Sequence, residues 1–213
     1  MSLRDKFRGT GIAIVTPFQN DGKIDWDNFR KLINFWITNK VEYLVVLGTT
    51  GESATIHGAE KQQVFSFVRE VNADRLPLMA GVGGNDTSEV LENFKTFNLD
   101  GYSAILSVSP YYSKPNQEGI FQHYKALNAE TPLPIMLYNV PSRTGQSVAA
   151  DTQIRIAGEC KKIFGGIKKI NIFAPLNKTA TQQKMQRSNL HIETSKWFNP
   201  MADQTLRGHV IKL

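Results

Sequence analysis

The chain has 213 residues, 41% of them hydrophobic and 21% charged, a balance that excludes wholesale disorder. A single cysteine, Cys160, excludes an intrachain disulfide framework and any thiolate cluster for zinc or iron–sulfur. No run approaches the ~20 apolar residues of a membrane span, and the opening MSLRDKFRGTG lacks a signal-peptide core, so a soluble cytoplasmic domain is expected.

From the N-terminus the chain alternates two patterns. GIAIVTPF (11–18) is an apolar run of β-formers closed by Pro17, which predicts a buried strand. The next segment, 25–39, predicts a helix with Asp25 at its N-cap and Phe29, Leu32, Ile33 and Trp36 on one face. EYLVVLG (42–48) is a continuous apolar strand, the pattern of a sheet covered on both faces. A helix over 58–72 and a strand over 76–83 follow. The helix over 86–99 starts on Asp86 with Glu89 three residues later, a relative of the capping box. Then come a strand over 101–110, a helix over 117–130, a strand over 133–140, a helix over 148–160 and a short strand over 161–167.

Six strand candidates about 30 residues apart, with five helices between them, call for parallel strands joined by helical crossovers. A doubly wound sheet and a (β/α)8 barrel of the TIM type both satisfy that pattern. Five successive strands end in polar or glycine-rich loops, which favours the barrel, because a doubly wound sheet concentrates its chemistry at one crossover. The expected fold is therefore an α/β barrel of about six βα units over residues 1–168. Residues 169–213 lose the period, and a full barrel needs about 60 residues more, where 45 remain. The charge changes at the same place. Residues 1–168 carry 18 Lys/Arg against 17 Asp/Glu, whereas 169–213 carry 7 against 2. The net charge of +6 thus belongs to the tail, which reads as a divergent or out-of-frame basic end. Its dispersed cations form no nucleic-acid reader motif, and no nucleic-acid or membrane partner is expected.

Several loops carry residues suited to chemistry. GTTGES (48–53) sets Thr49 and Thr50 between Gly48 and Gly51, where backbone amides and hydroxyls suit a carboxylate or phosphate. A tight turn whose hydroxyls satisfy the chain locally explains the same residues equally well. SPYYSKPNQEG (109–119) places Tyr111 and Tyr112 after a strand, where at most one of the two reaches a shared cleft and simple loop packing accounts equally for both. YNVPSRTG (138–145) puts Tyr138 at a strand end with Arg143 near it, a pair suited to proton transfer beside a bound carboxylate, although a surface arginine and a packed tyrosine are the simpler reading of this loop alone. Lys168 falls at the end of the sixth strand, the residue type for carbonyl chemistry through a Schiff base. Four histidines show no metal-ligand spacing, so no metal is expected.

Together, GTGIAIVTPF, GTTGESAT, GVGGNDT, SPYYSKPNQEG and YNVPSRTG resemble the ordered motifs of the dihydrodipicolinate synthase family. This is a branch of the pyruvate-dependent class I aldolase and N-acetylneuraminate lyase superfamily. The resemblance covers about residues 8–165. It implies a (β/α)8 barrel, usually assembled as a homotetramer of two tight dimers. It also implies condensation of pyruvate with aspartate 4-semialdehyde in lysine biosynthesis, with lysine as a feedback ligand and no metal or dissociable cofactor. By motif, Tyr138 matches the proton-shuttling tyrosine, Thr50 its relay threonine, and Thr49, next to Gly48, the holder of the pyruvate carboxylate. Tyr112 matches the aromatic supplied to the neighbouring subunit's relay. Arg143 matches the arginine that receives the semialdehyde carboxylate.

At the sixth strand the sequence departs from the family. Lys168 matches the Schiff-base lysine only if an extra glycine, Gly165 or Gly166, is accepted; otherwise Ile167 stands there. Another pyruvate aldolase of the superfamily, or a catalytically impaired remnant acting as an interaction protein, are the competing expectations.

Overall fold

A computed structural model describes residues 3–164. The tail at 169–213 lies outside the described residues. In chain order the elements are α1 (Leu3–Lys6), β1 (Gly11–Ala13), α2 (Trp26–Thr38), β2 (Tyr43–Val46), α3 (Gly58–Asn72), β3 (Leu78–Gly81) and α4 (Thr87–Thr96). Then follow β4 (Ala104–Val108), α5 (Gln117–Glu130), β5 (Ile135–Tyr138), α6 (Pro141–Thr144), α7 (Ala150–Glu159) and β6 (Ile163–Phe164).

The starts of α2, α4 and α5 are set by side chains that take the orphan amides of the first turn. Asp25 accepts from the Asn28 amide at 3.0 Å, Asp86 from Ser88 at 2.8 Å, and Asn116 from Gly119 at 2.8 Å. Each such cap contributes about 1 kcal/mol. On α2 the apolar stripe buries Phe29, Ile33 and Trp36, while Leu32 is half-buried. Of the expected strand over 11–18, only Gly11–Ala13 pairs as a strand. Beyond it the Ile14 amide still bonds the Val45 carbonyl at 3.0 Å, and the chain then turns out of the sheet through Thr16 and Pro17. Helix α1 and helix α6, four residues each, carry too few positions to show a period.

All six strands are parallel, and each pairs with the next in sequence: β1-β2-β3-β4-β5-β6. A doubly wound sheet reverses its strand order at a switch point, and no reversal occurs among these strands. The sheet is a partial α/β barrel.

Two apolar layers follow from the two-residue period of the strands. Leu44 and Val46, Leu78 and Ala80, Ile105 and Ile135 point to the helices and pack with Phe65, Val68, Ile120 and Leu127. Their neighbours Val45, Met79, Ala104, Leu106 and Tyr138 share the opposite face. Phe7, just after α1, seals that inner face from one end. Its ring meets Tyr43 of β2 edge-on at 5.2 Å and stacks on Phe164 of β6 at 6.3 Å. One side chain therefore reaches both β2 and β6, with three strands between them in the sheet, which requires the sheet to curve around it. Among the described residues, no helix is long and apolar enough to cross a membrane.

Inside the helix layer, Tyr124 of α5 donates to the Ser107 carbonyl of β4 at 2.9 Å. Its neighbour His123 is 3% exposed and pairs through Nδ1 with the Thr87 hydroxyl at 2.8 Å, while Nε2 has no partner among the described residues. Burial holds the imidazole down at about 4, against an ordinary value of 6.5. The neutral ring therefore stabilises the fold fully above pH ~6.5, and that contribution drains away as pH falls towards 4, where only the unfolded chain takes up the proton. From this group alone, denaturant titrations between pH 7 and 4 are expected to lose about 3 kcal/mol. His123→Asn should flatten that part of the profile. An unchanged slope in the variant would assign the acid sensitivity elsewhere.

Candidate active site

The polar loops emerge from the carboxyl ends of the strands, the edge that carries the site in α/β barrels. After β2 the chain makes an abrupt turn. Leu47 adopts a left-handed φ of 55°, Gly48 is extended, Thr49–Gly51 form a single 3-10 turn, and Glu52 is again left-handed at φ 55°. Two non-glycine residues in that region store about 1 kcal/mol or more each, so neighbouring structure must hold them.

That support comes from the strands on either side. From the β1 side, the buried Thr16 hydroxyl donates to the Gly51 carbonyl at 2.9 Å. A Cβ at Gly51 would stand 3.1 Å from the Ile14 carbonyl oxygen, so the turn lies directly on the end of β1. From the β3 side, a Cβ at Gly81 would stand 2.1 Å from the Leu47 carbonyl oxygen and 2.9 Å from the Gly48 nitrogen. Only glycine leaves room for the turn to pass.

The turn is closed by backbone bonds, Gly51 N–H to Gly48 C=O at 3.0 Å and Glu52 N–H to Thr49 C=O at 3.2 Å. Local satisfaction of the chain thus does not use the threonine hydroxyls. Gly48 is buried, Thr50 half-buried and Thr49 exposed at the strand edge.

Tyr138 is the last residue of β5 and pairs with Val108 of β4. It is 6% exposed and belongs to the inner apolar face with Val45, Met79 and Leu106. Thr50 and Tyr138 rise from strands separated by β3 and β4, roughly 14 Å apart along the sheet before its curvature brings them nearer. No hydrogen bond joins them among the described residues.

Past Tyr138 the chain enters α6, begun by Pro141 and ended by Gly145 at φ 73°. The amides of Arg143 and Thr144 both bond to the Val140 carbonyl, at 2.8 and 3.0 Å. This tight turn presents Arg143 exposed at the rim. On the β4 side, Ser113 N–H bonds back to the Tyr111 carbonyl at 2.8 Å around Tyr112, whose φ is 66°. The turn holds the Tyr112 ring 87% exposed, away from this chain's own interior. Lys168 lies outside the described residues. Sequence reasoning missed Thr16 and Gly81, whose roles rest on contacts 35 and 34 positions away in the chain. Only the glycines ending the 76–83 strand hinted at them.

A family model described as the Dihydrodipicolinate synthetase family matches residues 6–189. The chain belongs to the dihydrodipicolinate synthetase family. The match runs past residue 165, where the motif resemblance stops. The chain is 50% identical over 159 residues to the 4-hydroxy-tetrahydrodipicolinate synthase of Cytophaga hutchinsonii, a span of 75% of this chain and 53% of that protein. Among solved structures of this family, dihydrodipicolinate synthase of Acinetobacter baumannii, complexed with pyruvate, aligns with a TM-score of 0.67 and 44% identity, over 70% of this chain and 51% of the other. The enzyme from Cyanidioschyzon merolae with lysine bound aligns at 0.68 and 39% identity, over 73% and 53%. The chain spans about half the length of the curated family members it matches.

Proposed function

We propose that the chain serves a pyruvate-dependent Schiff-base condensation, with pyruvate as the nucleophile donor and aspartate 4-semialdehyde as the acceptor. One observation carries the reading. The Thr49–Thr50 turn and Tyr138 stand at the carboxyl edge of one curved sheet, with the tyrosine on its inner face and the threonine hydroxyls unused by the turn. The pyruvate complex of the Acinetobacter baumannii relative supports the choice of first substrate.

The Lys168 amine, as free base, attacks the pyruvate ketone, and loss of water leaves an imine. Protonated, that imine draws electrons from the adjacent methyl carbon, which loses a proton and becomes an enamine. The enamine carbon bonds to the aldehyde carbon of the second substrate, whose oxygen takes up a proton. Tyr138, in a relay with Thr50 from the other side of the curved sheet, moves these protons without adding a fixed charge to the pocket. Gly48 and Thr49 offer donors to the pyruvate carboxylate, and Arg143 meets the carboxylate of the semialdehyde at the rim. Tyr112, turned outwards, suits a neighbouring subunit's relay, in line with a homo-oligomer of paired tight dimers. Free lysine, bound in the Cyanidioschyzon merolae relative, is the proposed feedback ligand, and the cytoplasm the proposed compartment.

Incubation with pyruvate and borohydride, followed by digestion and mass spectrometry, is the direct test. The expected product is a reduced pyruvate adduct on Lys168. No adduct under conditions that label a full-length family member would overturn the reading and favour an impaired remnant. An adduct without turnover of the semialdehyde, but with turnover of another aldehyde, would assign the chain to a different pyruvate aldolase.

A further inference from the structure

The loops bearing Tyr112 and Arg143 are tied together by side-chain amides. Gln117, the first residue of α5, makes three side-chain hydrogen bonds, all beyond its own helix. Its Oε1 accepts from the Ala149 amide at 2.9 Å and from the Thr152 hydroxyl at 2.9 Å, and its Nε2 donates to the Ser147 carbonyl at 3.0 Å. Two of these bonds fall on the segment that leads from the Arg143 turn into α7, and the third falls on Thr152 in the first turn of α7.

The opposite side of that segment is held from β5. Asn139, next to Tyr138, accepts from the Val148 amide at 3.2 Å and donates to the Ser147 hydroxyl at 3.2 Å. A reverse strut runs from the Gln146 side chain to the Pro115 carbonyl. Residues 145–149 form neither helix nor strand, so their backbone groups depend on such partners. A primary amide of this length offers donors and two accepting directions together.

We infer that Gln117 is a positioning residue that couples the Tyr112 loop to the Arg143 loop and thereby sets where the second substrate's carboxylate is received. The coupling to substrate rests on the function proposed above; the coupling between loops does not. Gln117→Leu removes all three bonds at little change in volume. Gln117→Glu keeps the accepting oxygen for Ala149 and Thr152 but loses the donor to Ser147.

Amide hydrogen exchange separates the outcomes. In Gln117→Leu, exchange at Ala149 is expected to accelerate about tenfold while amides within α3 keep the parent rates. In Gln117→Glu the Ala149 amide should stay protected. Unchanged Ala149 exchange in the leucine variant, or equal loss in both variants, overturns the coupling. If the leucine variant does not fold, loss of Ala149 protection in the glutamate variant overturns it alone. In steady-state assays, the leucine variant should raise KM for the semialdehyde about tenfold and leave that for pyruvate within twofold, and the glutamate variant, which loses one bond of the three, should raise the semialdehyde KM by less, again with pyruvate within twofold. Equal rises for both substrates overturn the positioning role. A parent chain that makes no product would sink the proposed function while the exchange data still decide the coupling.

Discussion

Tyr138→Phe is expected to slow condensation of pyruvate with the semialdehyde about 1000-fold, since general acid–base groups contribute between ~100- and ~10000-fold. The fold should survive. The ring packs on the inner face with Met79 and Leu106, and phenylalanine fills the same volume. Thermal or denaturant unfolding should therefore shift by less than about 1 kcal/mol. Under the proposed mechanism imine formation at Lys168 should still proceed through solvent protons, so borohydride is expected to trap an adduct more slowly instead of not at all. A variant retaining condensation within threefold of the parent would remove Tyr138 from the proton relay. A variant that loses rate and stability together would recast the tyrosine as packing.

The second large effect is on stability. Gly81→Ala is expected to lower the free energy of unfolding by about 4 kcal/mol, because the added methyl lands 2.1 Å from the Leu47 carbonyl oxygen and 2.5 Å from its carbon. Those atoms belong to backbone, not to the end of a flexible side chain, so relief requires β2 or β3 to shift. The atoms that must shift lead directly into Gly48 and the threonine pair. Weaker pyruvate capture should therefore accompany the instability even at temperatures where the variant remains folded. Equilibrium urea unfolding and pyruvate titration check the two parts. A loss below about 1 kcal/mol would mean that the strands separate freely there, contrary to the close packing of β2 on β3.

The helices were the most legible elements. Expected limits of 58–72 and 117–130 coincide with α3 and α5, because each stripe is long enough to show a period and is bounded by residues that stop it. Asp25 and Asp86 announce helix starts through a purely local event, a carboxylate accepting amides two or three residues on. The strands were legible as apolar runs but not in their limits. GIAIVTPF suggests eight residues, yet only Gly11–Ala13 pairs, since Thr16 is drawn away to the Gly51 carbonyl. That competition involves residues 35 apart, and no local pattern reports it.

Among the proposed site residues, Tyr138, Thr49, Thr50 and Arg143 could be named from loops that end apolar runs. What each one does with its side chain was not contained in those loops. Tyr138 and Tyr112 are both aromatic residues after strands, but one is buried on the inner face and the other is 87% exposed. Strand pleat decides the first, because alternate residues face the lumen; the γ-turn around a left-handed residue decides the second.

By itself, the sequence determined the alternation of strand and helix, the caps, the loops that carry polar residues and the family those loops resemble. All of these depend on neighbours within a few positions, where propensity and periodicity act. Between the two α/β architectures that share this alternation, the polar loops and the resemblance pointed to the barrel, and the tertiary structure supplied the strand order that bears it out. Strand order depends on which strand lies beside which, and pairing each strand with its successor settles it for a curved, barrel-type sheet. The tertiary structure alone decided that a glycine in β3 and a threonine after β1 shape the turn after β2, because close approach of distant backbone leaves no trace in local sequence.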